Sequence, residues 1–202
     1  MTYSAPLSIF LLFLLVSCQA SSITDTSTPI DLPNLSPRSA NERLVQPLND
    51  NMDRGTSNPA MNTVIDFAHY QANHVERGDV IWYEGKFLSR VVALPSEQVS
   101  IRKGQLLVNG HKLDTFYGKA HVGGMEEKEF KRSDIGKKEK DVIVDEVYRL
   151  DMEEVALSDD EVFVVGDNWF RNEPGSTIKK VKVRTVEGKA IGICKSCASP
   201  QT

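Results

Sequence analysis

The chain has 202 residues and a formal net charge of −4, a length that allows one modest domain beyond a targeting segment. Its basic and acidic residues are mixed along the sequence, so it lacks the concentrated basic surface that binding of nucleic-acid phosphates requires. Its three cysteines are too few for a disulfide scaffold or a four-cysteine zinc cluster, and we expect no metal and no cofactor.

The first 20 residues are predicted to be a signal peptide. Residues 7–16 form an apolar run shorter than the roughly 20 residues that span a bilayer as a helix. The run ends in LVSC at residues 15–18, which resembles the lipobox of bacterial lipoproteins and implies a lipid anchor on Cys18. Two alternatives stay open, because cleavage after Ala20 would release a secreted protein and an uncleaved segment would itself be the anchor. Either cleavage route places the body of the protein outside the cytoplasm.

Residues 21–53 are predicted to be a disordered linker. The segment is rich in Ser, Thr, Pro and Asn and has no sustained apolar period. Such a stretch cannot bury enough apolar surface to offset the entropy lost on ordering. We therefore expect a tether that lets the folded domain move tens of ångströms away from the membrane.

The body of the protein, residues 54–193, is predicted to be an all-β, mostly antiparallel domain, followed by a tail at residues 194–202. Short runs of β-branched and aromatic residues predict its strands. These runs lie at residues 80–83, 91–94, 106–108, 142–144, 162–165 and 181–186. Asn109-Gly110 predicts a two-residue hairpin turn, because both residues tolerate the positive φ that this turn requires. Residues 123–140 are densely charged and predict a solvated loop excursion between strands.

Four short motifs occur in order within this body. They are TSNPAM at residues 56–61, RGDVIWY at 77–83, SRVVALPSEQV at 89–99 and VFVVGDN at 162–168. In this order they resemble the motifs of the signal peptidase I family. Residues 104–113 are similar to the family's central hairpin, and residues 187–192 to its last strand. The resemblance spans residues 52–193 and implies the family's β-domain fold.

The resemblance places Thr56 at the family's nucleophile position, with Ser57 beside it, and Ser89 at the position of the family's general-base lysine. That lysine must be a neutral amine in a dry pocket to remove the hydroxyl proton. A serine hydroxyl is far too weak a base for this step, so we expect no peptidase activity. The alternative is an active serine endopeptidase in which Thr56 or Ser57 uses Lys86 as a displaced base. A regular strand would turn Lys86 away, because it lies three residues before Ser89.

The turn Gly166-Asp167-Asn168 matches the family motif, and its polar side chains are expected to satisfy backbone groups in a tight turn. Beyond it the sequence departs from the family pattern. Asn172 and Pro174 stand where the family has the serine and aspartate that order the active site. The resemblance therefore implies that the turn has been retained while the catalytic site has decayed.

The remaining aromatic, histidine and cysteine residues are predicted to have mainly structural roles. Trp169 and Phe170 are expected in the core or at its rim, with lining of a peptide groove as the alternative. All four histidines are predicted to be ordinary surface residues. Cys194 and Cys197 form a lone C-x-x-C that either closes a small disulfide or stays free.

These observations lead to one functional hypothesis and two rivals. The first is an inactive, membrane-anchored accessory factor that binds extended peptides of exported proteins by strand addition. The second is a working serine endopeptidase with a relocated dyad. The third is a purely structural domain of the cell envelope without a peptide groove.

Overall fold

The structure is a computed structural model that describes residues 21–48, 50–55, 62–171 and 178–198. The predictions made for Cys18, Thr56, Ser57, Asn172 and Pro174 lie outside the described residues. The described part contains strands and short helices, and no helix in it is long and apolar enough to cross a membrane.

Strands dominate the described part of the chain. In chain order they are β1 (Ser22–Thr24), β2 (Glu42–Val45), β3 (Thr63–Asp66), β4 (Val80–Tyr83), β5 (Phe87–Ala93), β6 (Gln98–Arg102), β7 (Gln105–Val108), β8 (His111–Asp114), β9 (Met152–Ala156), β10 (Glu161–Val165), β11 (Lys179–Lys182) and β12 (Val186–Ile193). They form a seven-stranded sheet in the order β11-β10-β5-β4-β12-β3-β2 and a five-stranded sheet in the order β1-β8-β7-β6-β9. All pairs are antiparallel except β1 with β8, so the predicted, mostly antiparallel β fold is confirmed.

Three apolar clusters hold these strands together. The central strands β4 and β5 are buried on both faces, which explains why β4 is continuously apolar and β5 is apolar except at Ser89 and Arg90. One face packs Val80, Trp82 and Leu88 together, and the opposite face packs Ile81 with Val91. The third and largest cluster joins the two sheets. It includes Val92, Phe163 and Val165 from the larger sheet and Val99, Ile101, Leu106 and Val108 from the smaller one.

The β7–β8 hairpin forms where the sequence predicts it. Val108 pairs with His111, which leaves Asn109 and Gly110 as the two turn residues. Their φ angles are 51° and 74°, the left-handed conformation that a type I′ turn requires at both positions.

The charged excursion is helical rather than a loop, which corrects the sequence prediction. It contains α2 (Glu127–Phe130), α3 (Lys137–Ile143) and a π-helical turn (Val144–Tyr148), so residues 142–144 are not a strand. Residues 143, 144, 147 and 148 are buried, a helical spacing that the short β-branched run at 142–144 obscures. The Phe130 and Tyr148 rings, 5.6 Å apart, fix these helices on the inter-sheet core.

One other predicted strand differs from the structure. Residues 181–186 are not one strand, because a 3₁₀ turn (Val183–Thr185) separates β11 from β12. The remaining helical segments are also short: α1 (His69–Ala72) and a 3₁₀ turn (Trp169–Arg171).

The segment at residues 21–53 is predicted to be a disordered linker, but its described residues, 21–48 and 50–53, are ordered on the surface of the domain. It contributes β1 and β2 to the two sheets, and Asn51 and Met52 near its end are buried. Between the strands, the Leu35 amide donates to Ile193 O and the Ile193 amide donates to Pro33 O. The prediction was wrong because this segment is ordered by backbone pairing with distant strands, which a composition-based argument does not register.

Candidate functional site

The Ser89 side chain is fully buried on the central strand β5. Its Oγ lies 3.1 Å from the Tyr83 hydroxyl oxygen, and the Asn51 amide nitrogen donates to it over 3.4 Å. Burial raises the pKa of Tyr83 to about 12, the hydrogen bond with Ser89 opposing part of that rise. The phenol is therefore protonated at neutral pH. Ser89 thus occupies a neutral hydrogen-bonded cluster among the described residues, and this cluster supplies no base.

Leu48 and Asn51 cover the edge of β5 next to Ser89. Strand β10 pairs with β5 only from Arg90 to Ala93, so the carbonyls before Arg90 on that edge need other partners. The Leu48 amide donates to Lys86 O over 2.9 Å, and the Asn51 side-chain amide donates to Leu88 O over 3.0 Å. An irregular segment of the chain itself therefore takes the place of a neighbouring strand.

Lys86, the candidate for a displaced base, is exposed in the turn before β5. Its Nζ lies 5.0 Å from the centroid of the Phe87 ring, a cation–π contact, and it has no hydrogen bond to Ser89 in the described part of the chain. The structure therefore does not bring Lys86 and Ser89 together.

Lys179, which the sequence analysis missed, also reaches this face of the sheet. Its Nζ lies 5.1 Å from the Tyr83 ring centroid and 3.0 Å from a Glu84 carboxylate oxygen. A carboxylate and an aromatic ring therefore surround the Lys179 side chain. No local sequence signal points to Lys179, because β11 reaches the site only through sheet pairing.

The turn after β10 is held by a buried ion pair. Arg90 donates from Nε and Nη2 to the two carboxylate oxygens of Asp167, each over 2.7 Å, and from Nη1 to Gly78 O over 2.7 Å. The side chains of Arg90 and Asp167 are 4% and 3% exposed. Bidentate geometry of this kind is strong and directional, so Asp167 fixes the end of β10 against β5 and the approach to β4.

Asn168 connects the same turn to the buried cluster. Its backbone amide donates to Asn51 O over 2.7 Å, and its side-chain oxygen accepts from the Gly123 amide over 3.2 Å. Asn51 thereby links Ser89 to the turn that contains Gly166. The sequence analysis placed Asn51 in the linker and assigned it no role.

The neighbouring aromatic and histidine residues divide between core and surface. Trp169 is buried, whereas Phe170 is 43% exposed beside α3. His121, predicted to be a surface residue, is buried, and its Nε2 lies 2.8 Å from Phe116 O. Burial lowers the pKa of His121, and the nearby Arg54 guanidinium lowers it further.

The remaining candidates are the cysteine pair and any group of side chains that could bind a metal ion. Cys194 and Cys197 are joined by a disulfide just after β12. Within the described residues, no group of three or more His, Cys, Asp or Glu side chains could hold a metal ion.

A family model described as signal peptidase, peptidase S26, matches residues 41–193, from the start of β2 to the end of β12. The chain belongs to the signal peptidase family. A search of curated proteins finds no match. Among solved structures, the chain is similar to a signal peptidase I from Enterococcus faecalis V583, with 22% identity and a TM-score of 0.39. The alignment covers 58% of this chain and 97% of the other.

The buried cluster around Ser89 lies at a position that the resemblance to signal peptidase I associates with catalysis. In this signal peptidase family member, the position that resembles the general-base lysine is a serine whose described partners are a phenol and an amide. Thr56 and Ser57, which the sequence resemblance places at and beside the nucleophile position, lie outside the described residues. Strand β1 and the chain up to residue 40 precede the matched region.

Proposed function

We propose that this signal peptidase family member has no peptidase activity and acts in the cell envelope as a binding protein for extended segments of exported proteins. The observation that carries the proposal is the environment of Ser89. A hydroxyl that is buried and hydrogen-bonded to Tyr83 and Asn51 cannot remove a proton from a second hydroxyl near neutral pH.

The size of the catalytic defect follows from how such residues work together. In hydrolases whose nucleophile and base act as a unit, loss of either one lowers the rate by a factor on the order of 10⁴ to 10⁶. Here the base position is changed to Ser89 and the nucleophile position to Thr56. Lys86 and Lys179 make cation–π contacts instead of reaching Ser89.

Peptide binding is proposed at the edge of β5 next to Ser89. The carbonyls of Lys86 and Leu88 point from this edge and accept hydrogen bonds from Leu48 and Asn51. An extended peptide that displaced these residues would offer backbone amides to the same two carbonyls, as strand addition does. The exchange conserves the number of hydrogen bonds, so the side chains of the peptide would decide whether it binds.

We further propose that Cys18 carries a lipid and holds the domain at the outer face of the membrane. The support is the apolar run at residues 7–16 followed by LVSC, together with membership of a family that acts on exported proteins. This anchoring is independent of the loss of activity.

A turnover assay tests the loss of activity. The purified chain is incubated with a fluorogenic signal-peptide substrate, and Thr56→Ala and Ser57→Ala are matched controls. We expect the same background rate from all three proteins. Turnover that either substitution abolishes would refute the proposal and establish a relocated dyad.

A binding assay tests the second half of the proposal. Anisotropy of labelled peptides with small-x-small motifs is measured for the unchanged chain and for Asn51→Ala. Because the substitution removes the hydrogen bond that holds residue 51 on β5, affinity should rise at least roughly fivefold. Absence of saturable binding to both proteins would favour a purely structural domain.

A further inference from the structure

The first described residues of the chain are fixed on the domain from Ser21 onward. Strand β1 pairs in parallel with β8, and Ser22 lies opposite Lys112. Just before it, the Ser21 Oγ lies 2.6 Å from Nδ1 of His111. We call residues 21–35 the N-terminal strap, because they lie on both sheets and continue to the Leu35 contact with Ile193.

Asp25 organises the middle of the strap. Its carboxylate accepts hydrogen bonds from the Tyr117 hydroxyl over 2.7 Å, from the Ser27 amide over 2.9 Å and from the Thr28 amide over 3.0 Å. Burial alone would raise the pKa of Asp25, but the hydrogen bonds from Thr28, Tyr117 and Ser27 together lower it, so the carboxylate is ionised at neutral pH.

The strap also packs closely on the larger sheet. Gly78, with φ of 91°, lies against Thr28, and a Cβ at this position would collide with the Thr28 Oγ1. This close approach requires glycine, so the strap and the start of β4 fit each other.

The length of chain between the strap and Cys18 limits where a membrane can lie. Only residues 19 and 20 separate Cys18 from Ser21, and three extended residue steps span roughly 10 Å. Because β1 and β8 run parallel, Ser21 lies at the start of β8, beside the Asn109-Gly110 turn.

We infer that the bilayer surface lies against the end of the five-stranded sheet formed by Ser21, His111 and the Asn109-Gly110 turn. This inference rests on the proposed lipid anchor at Cys18. It replaces the flexible tether predicted from the sequence with a short connection that holds the domain on the headgroups. The partner is a phospholipid surface, and placement is set by the connection rather than by charge, because Lys112 at this end is paired with Asp114.

Collisional quenching measures this placement. The lipidated full chain is reconstituted in phosphatidylcholine vesicles that contain lipids with nitroxide headgroups. Because Cys18 carries the lipid and Cys194 is disulfide-bonded to Cys197, an introduced cysteine is the one free thiol for a fluorophore. The labels are placed by Lys112→Cys, Gln98→Cys and Arg102→Cys.

The last two labels form a matched pair. Gln98 and Arg102 are exposed, lie on β6 and share one face of the sheet because their spacing is even. They are about 13 Å apart along the strand. Gln98 is at the end near the hairpin turn, because the Asn109 amide donates to Gln98 O.

We expect strong quenching at positions 98 and 112, which lie at the turn end of the sheet, and the weakest quenching at 102. Equal quenching at the three positions would overturn the inference and restore a flexible tether. In Asp25→Ala, which removes the central contacts of the strap, the differences should shrink by at least half. The control Asp159→Ala, in the exposed turn before β10, should preserve them.

The anchor itself is tested separately. Radiolabelled palmitate should be incorporated into the unchanged chain and not into Cys18→Ser. Absence of incorporation would refute the proposed anchor, whereas incorporation with equal quenching would refute only the placement of the bilayer.

Discussion

The Tyr83 hydroxyl oxygen lies 3.1 Å from the Ser89 Oγ, and both groups are buried on the central strands of the larger sheet. The pair stands where the resemblance to signal peptidase I calls for an amine. The hydrogen bond between the two buried hydroxyls stabilises the fold. Neither hydroxyl of this pair can act as a general base.

A double-mutant cycle should detect this pair. Either Ser89→Ala or Tyr83→Phe alone leaves a buried hydroxyl short of a partner, at a cost of about 1–3 kcal/mol in the free energy of unfolding. The double substitution should cost less than the sum of the two, by about 1 kcal/mol. Urea unfolding measures all four proteins, and strict additivity would show that the two hydroxyls do not interact.

Asn51→Ala should destabilise the fold as well as open the β5 edge. The substitution removes the side-chain hydrogen bond to Leu88 O, so we expect a loss of about 1–3 kcal/mol in the free energy of unfolding. Asn73→Ala is a matched control, because the Asn73 side chain donates to His69 O at an exposed position. That control should change stability by about 0.5 kcal/mol or less. Equal effects would show that the Asn51 side chain does not fix its own segment on the β5 edge.

The Arg90–Asp167 pair should be among the most sensitive in the domain. Arg90→Ala leaves a buried carboxylate without its partner, and we expect a loss of about 3–5 kcal/mol in the free energy of unfolding. Arg102→Ala removes an exposed pair with Glu153 and should cost far less, because solvent screens that pair. Chemical denaturation distinguishes the two, and a loss below about 1 kcal/mol for Arg90→Ala would contradict a structural role for this ion pair.

The buried His121 predicts a pH dependence of stability. Burial and the nearby Arg54 lower its pKa in the folded protein, so the unfolded chain binds more protons once the pH falls below the ordinary histidine value of 6.5. Stability should therefore decrease as the pH falls below that value. His121→Gln keeps a side-chain donor for Phe116 O and should flatten the profile, whereas the exposed His74→Gln should leave it unchanged. Equal slopes for all three proteins between pH 7 and 5 would contradict this assignment.

The sequence predicted those elements whose conformation depends mainly on residues close together in the chain. The Asn109-Gly110 turn requires two positive φ angles, and the central strands need apolar residues on both faces, so both could be read from short stretches. The order of the segment before residue 54 could not be predicted from a short stretch of sequence. Asn51 makes its contacts with Leu88 and Asn168, which are distant in sequence, and nothing in the composition around it indicates burial.

The candidate site was only partly predicted, because it too depends on residues that are distant in sequence. Family motifs indicated Ser89 and the turn at residues 166–168, but the residues that satisfy Ser89 come from other segments of the chain. Tyr83 is its neighbour across a hairpin, and Asn51 arrives from the covering segment. Lys179 reaches the site through β11, so its position depends on sheet order and not on any motif.

The absence of an activated nucleophile can be tested most directly with a penem-type acylating probe followed by intact-mass spectrometry, because acylation requires no knowledge of the natural substrate. We predict that the purified chain acquires no adduct near neutral pH, since Ser89, a buried hydroxyl hydrogen-bonded to Tyr83, stands at the proposed base position. A stoichiometric adduct on Thr56 or Ser57 would contradict this account.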